Sequence, residues 1–195
     1  MFIVGITGSI GSGKTTIAQI IKKFGFVVFD IDNWVKQNYY NQSFLQVLNR
    51  CFEGIVKDKF VDKRALRNII FNDDIKRKKL EDLIHPFLEQ KIKKAIRKNA
   101  KFDGMFFIDA PLLFENGWDK YCNAIIVADA SLNERRKRVV IRDNVSCDDF
   151  DKINKIQIDN EIKKILADVV IDTEKNKNLL NADIAVIIKM LGNLK

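Results

Sequence analysis

Cysteine is scarce in this 195-residue chain. Its three cysteines, Cys51, Cys122 and Cys147, are odd in number, far apart in the sequence and without C-x-x-C spacing. A disulfide framework and a cysteine-based zinc site both require paired or clustered thiols. The sequence therefore excludes these two classes and predicts reduced thiols in a cytoplasmic protein.

Long hydrophobic runs and prolines are also few. No stretch approaches the ~18 consecutive apolar residues of a membrane span, and the opening MFIVGI is too short for a signal peptide. Only two prolines are present, and neither marks a linker. We therefore expect no membrane partner, and a single domain over residues 1–195 with one substantial core.

The charge is biased toward the positive side. The formal net charge of +8 and the pI near 9.3 favour anionic partners. The basic runs KRKK (76–79) and KIKK (91–94) flank an apolar helix face and lack the interleaved aromatics of a nucleic-acid surface. They indicate a solvated helix, so we expect no nucleic-acid partner and a monomer or weak homo-oligomer.

Short β-rich runs alternate with longer helical ones, which is typical of βαβ units and a mostly parallel sheet. The candidate strands are 1–7, 26–30, 105–109, 124–129 and 169–172. They predict an α/β fold with a five-stranded sheet flanked by helices. The long segment between the second and third candidates is read as entirely helical, and predicts an insertion at about 33–100.

A proline interrupts the helical pattern of this insertion. Apolar residues recur at helical spacing from Leu80 to Ile96, with Pro86 among them. Proline removes a backbone donor and clashes with the preceding turn. We therefore predict that the helix breaks or kinks just after His85.

The segment GITGSIGSGKTT at 5–16 fits the phosphate-loop pattern G-x-x-x-x-G-K-[ST], between a candidate strand and an amphipathic helix. Glycines allow converging backbone N–H groups to wrap a polyphosphate, and the helix N-terminus adds its dipole. A glycine-rich turn without a ligand would not explain a lysine and a threonine in register. We predict a nucleoside triphosphate held by Gly8, Ser9, Ile10, Gly11, Ser12, Gly13, Lys14, Thr15 and Thr16.

Two side chains of this loop have predicted tasks of their own. Lys14 can reach the β- and γ-phosphates as a point charge, and the Thr15 hydroxyl can bind the Mg²⁺ that bridges them. Thr16 either joins the loop contacts or caps and packs the helix start.

Two carboxylates end the second candidate strand in FDIDN. Asp30 and Asp32 lie at the carboxyl edge of the predicted sheet, where ligands bind in open α/β folds. One of them can accept the proton of an attacking hydroxyl, and the alternative is that they cap the next helix.

Further blocks follow the loop in a fixed order: DID (30–32), DKRALRNIIFND (62–73), LEDLIHP (80–86), APLLFENG (110–117), RRKRVVIRD (135–143) and QIDNEIKKILADVVID (157–172). With the phosphate loop, they resemble the dephospho-coenzyme A kinase family nearly from end to end. LIHP and LLFENG in this order are more discriminating than the loop. The resemblance implies a P-loop NTPase fold, and phosphoryl transfer from ATP, with Mg²⁺, to the ribose 3′-hydroxyl of dephospho-coenzyme A.

The resemblance also implies residue roles. Asp32 is the candidate base, Asp30 supports it or lies near the metal, and Asp109 is a further candidate metal ligand. Lys36 stands where the family has an arginine, so we expect weaker acceptor binding without a change of reaction.

The resemblance implies that the insertion binds the acceptor. It also implies that the turn after the third strand forms a wall of the acceptor site. His85 would shape the pocket rather than act as the base, and plain core is the alternative for the leucines. The implied acceptor residues are Asp32, Arg64, Arg67, His85, Pro111, Leu112, Leu113 and Glu115.

A run of arginines after the fourth strand resembles the lid of small-molecule kinases, at about 131–160. Arg138 and Arg142 are spaced i, i+4 and share a helix face. As catalytic residues with Lys14, they would fold onto the transferring phosphates and exclude water. The alternative is a solvated arginine stripe.

Two other classes of P-loop protein are rivals to this function. A P-loop nucleoside or nucleotide kinase would carry a similar loop, acid pair and lid. A GTP-dependent switch would need N-K-x-D and a D-x-x-G after the third strand, where this chain has IDAPLL. The sequence therefore favours a kinase over a switch.

Overall fold

The computed structural model describes residues 1–194 apart from 39–41, 53, 58–59, 63–64, 67–68, 70–72 and 102, and gives only the backbone of 36, 38, 43 and 57. The chain divides into two compact units, Met1–Asp30 with Lys94–Lys195, and Ile31–Lys93. The second unit overlaps the insertion predicted at about 33–100, and the single-domain description remains a prediction.

Seven strands, eight α-helices and one short 3₁₀ helix are defined among the described residues. In chain order they are β1 Phe2–Thr7, α1 Lys14–Lys23, β2 Val27–Asp30, α2 Ile31–Asn38, α3 Gln42–Cys51, β3 Val56–Lys57, β4 Phe60–Val61, α4 Asp74–Asn99, β5 Met105–Asp109, the 3₁₀ helix Asp119–Tyr121, β6 Ala124–Asp129, α5 Leu132–Asp143, α6 Cys147–Ile156, α7 Asn160–Ile165, β7 Val169–Asp172 and α8 Lys177–Asn193.

Five strands of the first unit form one parallel sheet in the order β2-β5-β1-β6-β7. The five strand candidates and the α/β fold are therefore confirmed. The chain first adds strands on one side of β1 and then on the other, and ligands of such sheets bind at the carboxyl ends of the strands where the order reverses. This point is the end of β1, where the phosphate loop begins.

One cluster of the first unit's core lies between a face of this sheet and the helices α1 and α8. All five residues of β5 are buried, as expected for a strand covered on both faces. Helix α1 contributes Ile17, Ile20 and Ile21, and α8 contributes Leu180, Ile184 and Leu191. The spacing of these residues puts one apolar stripe of each helix against the sheet, so α1 and the loop before it rest on packed β-structure.

The second unit has its own core and one feature that contradicts the sequence reading. Leu48, Ile55, Val61 and Leu80 are among the residues that form the core. The segment expected to be helical throughout contains an antiparallel pair, β3 with β4, in which Val56 lies opposite Val61. Each strand has two residues, which is too short for a period-two pattern to be recognised in a sequence.

Helix α4 shows that the predicted break after His85 is wrong, whereas the alternative of a kink at that point stays a prediction. It runs from Asp74 to Asn99 with Pro86 inside it. An interior proline costs roughly 3 kcal/mol. Leu80 lies before the proline, and Leu88 and Ile92 lie after it, and all three are buried. Their burial on both sides offsets the lost hydrogen bond and keeps the helix continuous.

The two helices of the predicted lid region begin with side-chain caps. The Ser131 hydroxyl accepts the Glu134 N–H at the start of α5. Ser146 and Asp149 form a reciprocal capping box at the start of α6. The salt bridge from Arg136 to Asp151, at 2.8 Å, links the two helices.

Candidate functional site

The phosphate loop joins β1 to α1, as its motif predicts. Its last glycine, Gly13, is the N-cap of α1 and has a φ of 87°. A glycine has no side chain with which to cap the helix, so Gly13 leaves the start of α1 without a side-chain cap. The Thr16 N–H donates to the Gly13 carbonyl at 2.9 Å. An anion at this point is stabilised by the helix dipole.

The glycines of the loop also permit close packing that the sequence did not indicate. A Cβ on Gly11 would lie 2.5 Å from the Arg135 carbonyl oxygen, and one on Gly13 would lie 2.7 Å from Thr173 Oγ1. Helix α5 and the residue after β7 therefore press directly on the loop. Sequence reasoning missed both neighbours, because contacts between such distant residues leave no local pattern.

Two side chains that follow α6 in the chain accept hydrogen bonds from the backbone of the phosphate loop. The Ile10 N–H donates to Gln157 Oε1 at 2.7 Å, and the Ser9 N–H donates to Asn160 Oδ1 at 3.3 Å. Asn160 Nδ2 in turn donates to Asp129 at the end of β6. The return from the lid region thus fixes the part of the loop farthest from the helix. These two side chains were also missed from the sequence.

Two predicted residues meet at the carboxyl edge of the sheet. Lys14 Nζ forms an ion pair with Asp109, whose side chain is 3% exposed. Asp109 is registered with Asp30 on the neighbouring strand β2. The structure thus brings Lys14, Asp30 and Asp109 to one edge. Thr15 and Thr16 are both exposed on the first turn of α1.

Two of the predicted acceptor residues, Asp32 and His85, are described in the second unit. Asp32 lies in the first turn of α2, two residues after the end of β2. His85 is half-buried within α4. Arg64, Arg67 and the side chain of Lys36 lie outside the described residues.

The turn after β5 is tied to the start of the phosphate loop. The Pro111 carbonyl accepts hydrogen bonds from Thr7 Oγ1 and from Lys163 Nζ, both at 3.1 Å. Leu113 is fully buried, in agreement with the core alternative, whereas Pro111 and Leu112 are half-buried.

Glu115, a predicted acceptor residue, has an inward-facing oxygen. Its Oε1 accepts from the Ile158 N–H at 3.0 Å and pairs with Lys163 Nζ at 2.8 Å. The Lys163 side chain is 0% exposed. Burial lowers the pKa of Lys163, and the pairing with Glu115 opposes that shift. Lys163 was not recognised from the sequence.

The two predicted lid arginines have different surroundings. Arg138 donates to Thr173 through Nη1 and Nη2, at 2.9 and 3.0 Å, and from Nη1 to the Gly11 carbonyl at 3.4 Å. Arg142 instead pairs with Asp143 and is 60% exposed. Only Arg138 reaches the phosphate loop in this conformation.

Three cationic groups lie near the phosphate loop and influence one another. The charges of Arg135 and Lys14 both lower the pKa of Lys163, so the three groups are electrostatically close. Burial also lowers the pKa of Arg135. Cationic groups beside the N-terminus of α1 are suited to a polyphosphate.

Comparisons with known proteins agree with this geometry. Residues 2–178 match the family model described as dephospho-CoA kinase. The dephospho-CoA kinase of Bartonella henselae is 34% identical over 193 residues, which cover 98% of each chain. The crystal structure of TT1252 from Thermus thermophilus has a TM-score of 0.81 at 29% identity, covering 100% of this chain and 98% of that one. The dephospho-CoA kinase from Campylobacter jejuni has a TM-score of 0.67 at 25% identity, covering 98% and 97%.

Proposed function

The chain belongs to the dephospho-CoA kinase family and is an ATP-dependent kinase, and we propose that it transfers the γ-phosphoryl group of ATP to the ribose 3′-hydroxyl of dephospho-coenzyme A. The products are coenzyme A and ADP. The observation that carries the proposal is the family match over residues 2–178. The edge of the sheet at which Lys14 pairs with Asp109 beside Asp30 supports phosphoryl transfer.

The loop residues position and neutralise the phosphates. Phosphoryl transfer requires little covalent help from a protein, so charge stabilisation and in-line alignment carry the catalysis. The N–H groups at the start of α1 bind phosphate oxygens. Lys14 shifts between Asp109 and the phosphates, since an ammonium on a flexible stem can exchange partners without a change in the backbone. The loop contacts extend from Gly8 to Thr16.

Asp32 is proposed as the residue that orients the 3′-hydroxyl and accepts its proton. It follows β2 at the edge where Asp30 and Asp109 end their strands. A carboxylate within hydrogen-bond reach of the attacking hydroxyl can perform both tasks. Asp30 supports it or contributes to the metal site.

The donor set at this edge fits Mg²⁺. No cluster of three or more metal-ligating His, Cys, Asp or Glu side chains occurs in the described part of the chain. Mg²⁺ is commonly held by one or two protein oxygens together with substrate phosphates and water. Thr15 would supply its hydroxyl, with Asp30 or Asp109 as a further ligand. When bound, the ion neutralises phosphate charge.

The acceptor and lid assignments complete the proposal. Asp32, Arg64, Arg67 and His85 would contact the acceptor, and Pro111, Leu112, Leu113 and Glu115 would form a wall of its site. Because Leu113 is buried and Glu115 Oε1 is engaged, these two act by shaping the turn. Arg138 and Arg142 would order the transferring phosphates.

The kinase acts on small molecules. None of the described helices combines the length and the apolar character needed to cross a bilayer. A cytoplasmic location, a monomeric or weakly oligomeric state and the lack of a nucleic-acid partner stay part of the proposal. The three free thiols support the cytoplasmic location.

One assay tests the reaction directly. Purified protein is supplied with ATP and Mg²⁺ and then with dephospho-coenzyme A, coenzyme A, nucleosides or nucleoside monophosphates. We expect ADP release that depends on dephospho-coenzyme A, with a 3′-phosphorylated product identified by mass spectrometry. Turnover with a nucleoside or nucleotide in preference to dephospho-coenzyme A would favour the rival kinase.

A further inference from the structure

Lys163 is a fully buried cation that the phosphoryl-transfer scheme does not use. It lies in α7 with its side chain 0% exposed, so it cannot touch either substrate. Burying an ammonium is costly unless partners compensate for the lost water. Its two partners, the Pro111 carbonyl at 3.1 Å and Glu115 Oε1 at 2.8 Å, both belong to the turn after β5.

The Pro111 carbonyl is a junction between two parts of the site. Thr7, the last residue of β1, donates to it at 3.1 Å. The carbonyl therefore links the residue that precedes the phosphate loop to the turn that is proposed to face the acceptor. Lys163 is the second donor to the same oxygen and the only charged one of the two.

Glu115 is a second junction. Its Oε1 accepts the Ile158 N–H as well as the Lys163 ammonium, so it joins the turn to the return from the lid region. Its Oε2 is buried, with no hydrogen-bond partner among the residues that the structure describes. The carboxylate therefore depends on Lys163 for much of the compensation of its burial.

We propose that Lys163 is a positioning residue that fixes the Pro111–Glu115 turn against the start of the phosphate loop, and so sets where the acceptor sits relative to the bound ATP. This inference rests on the proposed function, since the turn is taken as a wall of the acceptor site. The phosphate loop has its own supports in Lys14, Gln157 and Asn160. Loss of Lys163 therefore disturbs the acceptor side first.

The same helix offers a matched control. Lys164 pairs with Glu161 at 2.6 Å and Asp129 at 3.4 Å, and its side chain is 26% exposed. Lys164→Met removes the same charge one position later without touching the Pro111–Glu115 turn. We expect it to leave exchange at 110–117 and the acceptor constants at saturating ATP unchanged. Because Asp129 also accepts the Asn160 amide that supports the phosphate loop, any effect of Lys164→Met falls on ATP affinity.

Lys163→Met, Lys163→Arg and the double variant Glu115→Gln with Lys163→Met are compared with this control. Kinetic constants for both substrates, thermal stability and amide hydrogen exchange of peptides covering 110–117 are measured. For Lys163→Met we expect kcat/KM for dephospho-coenzyme A to fall about 10- to 100-fold, as for a modest misplacement of reacting groups. The affinity for ATP stays unchanged, and exchange in the turn becomes faster.

The double variant separates positioning from stability. It removes both buried charges, so it folds even where Lys163→Met does not, and it recovers most of the thermal stability. Methionine still cannot donate to the Pro111 carbonyl, so we expect the acceptor defect to persist. Lys163→Arg keeps a cationic donor and restores part of the acceptor constants.

Two results would overturn the inference. One is a double variant whose acceptor constants recover together with its stability, and the other is a parallel loss of ATP and acceptor affinity. If the wild-type protein does not phosphorylate dephospho-coenzyme A, the proposed function fails by itself. In that case hydrogen exchange alone tests the positioning role of Lys163. Unchanged amide hydrogen exchange at 110–117 in the Lys163 variants would then overturn it.

Discussion

Arg138 holds Thr173 through two parallel hydrogen bonds, from Nη1 to the hydroxyl at 2.9 Å and from Nη2 to the carbonyl at 3.0 Å. The Thr173 hydroxyl also donates to the Ser12 carbonyl at 2.7 Å. A guanidinium on α5 is thereby connected to the phosphate loop through one threonine. The position of α5 and the shape of the loop are coupled by these contacts.

This coupling predicts different effects for the two lid arginines. Arg138→Ala removes hydrogen bonds to a charged group, worth about 1.5 to 3 kcal/mol, so we expect the KM for ATP to rise by about tenfold or more and kcat to fall. Arg142→Ala should lower kcat while ATP affinity is preserved, because Arg142 contacts only Asp143 among its described ion pairs. Steady-state kinetics and ATP titration check both. An Arg142→Ala enzyme with normal kcat would remove Arg142 from the lid proposal.

Lys14→Ala is expected to abolish turnover, with kcat reduced by at least about 10²-fold, the usual loss for a preorganised charge. The structure adds a cost in stability, because Asp109 is 2% exposed and loses its cation. We therefore expect a lower Tm as well.

The matched variant is Lys14→Ala combined with Asp109→Asn. It should recover Tm by removing the buried charge, but it should not recover turnover. Recovery of both would show that Lys14 acts only by stabilising Asp109.

The sequence predicted best those features that a single short segment determines by itself. The buried β5 reads as an apolar strand from its own residues, and Gly8 to Thr15 predict their loop from spacing alone. Asp30 and Asp109 could be placed at one edge because parallel strands end together.

The rest of the site depends on contacts between distant residues. Gln157 and Asn160 reach the loop from 147 and 151 residues away in the sequence. Lys163 reads as one of several helical lysines, and only the folded chain shows that it is buried against Glu115. The predicted break just after His85 was wrong for a related reason, because burial on both sides of Pro86 outweighs the local preference of proline.

Asp32→Asn should separate binding from chemistry. The amide keeps the shape and the hydrogen-bonding ability of the carboxylate but loses its charge and basicity. We expect kcat to fall by roughly 10²-fold or more, the range for loss of a general base, with both substrates still bound. Asp30→Asn is the comparison and should be milder, or should raise the Mg²⁺ concentration needed for half-maximal rate. Unimpaired turnover of Asp32→Asn would exclude Asp32 as the base.

Gly11→Ala tests the packing of the phosphate loop against α5, with Gly25→Ala as its control. Gly11 has a φ of 79° and Gly25 a φ of 89°, so alanine meets similar backbone strain at both positions, about 1 to 2 kcal/mol. A Cβ on Gly25 contacts nothing within 4 Å, whereas one on Gly11 would lie 2.5 Å from the Arg135 carbonyl oxygen. Backbone atoms cannot rotate away as a side chain can, so Gly11→Ala must displace either the loop or α5.

We expect Gly25→Ala to lose a little stability and keep full ATP affinity. Gly11→Ala should lose more stability and bind ATP at least about tenfold more weakly, as a shift of the phosphate-binding backbone implies. Equal Tm values and equal ATP affinities for the two variants would contradict this account of why position 11 is a glycine.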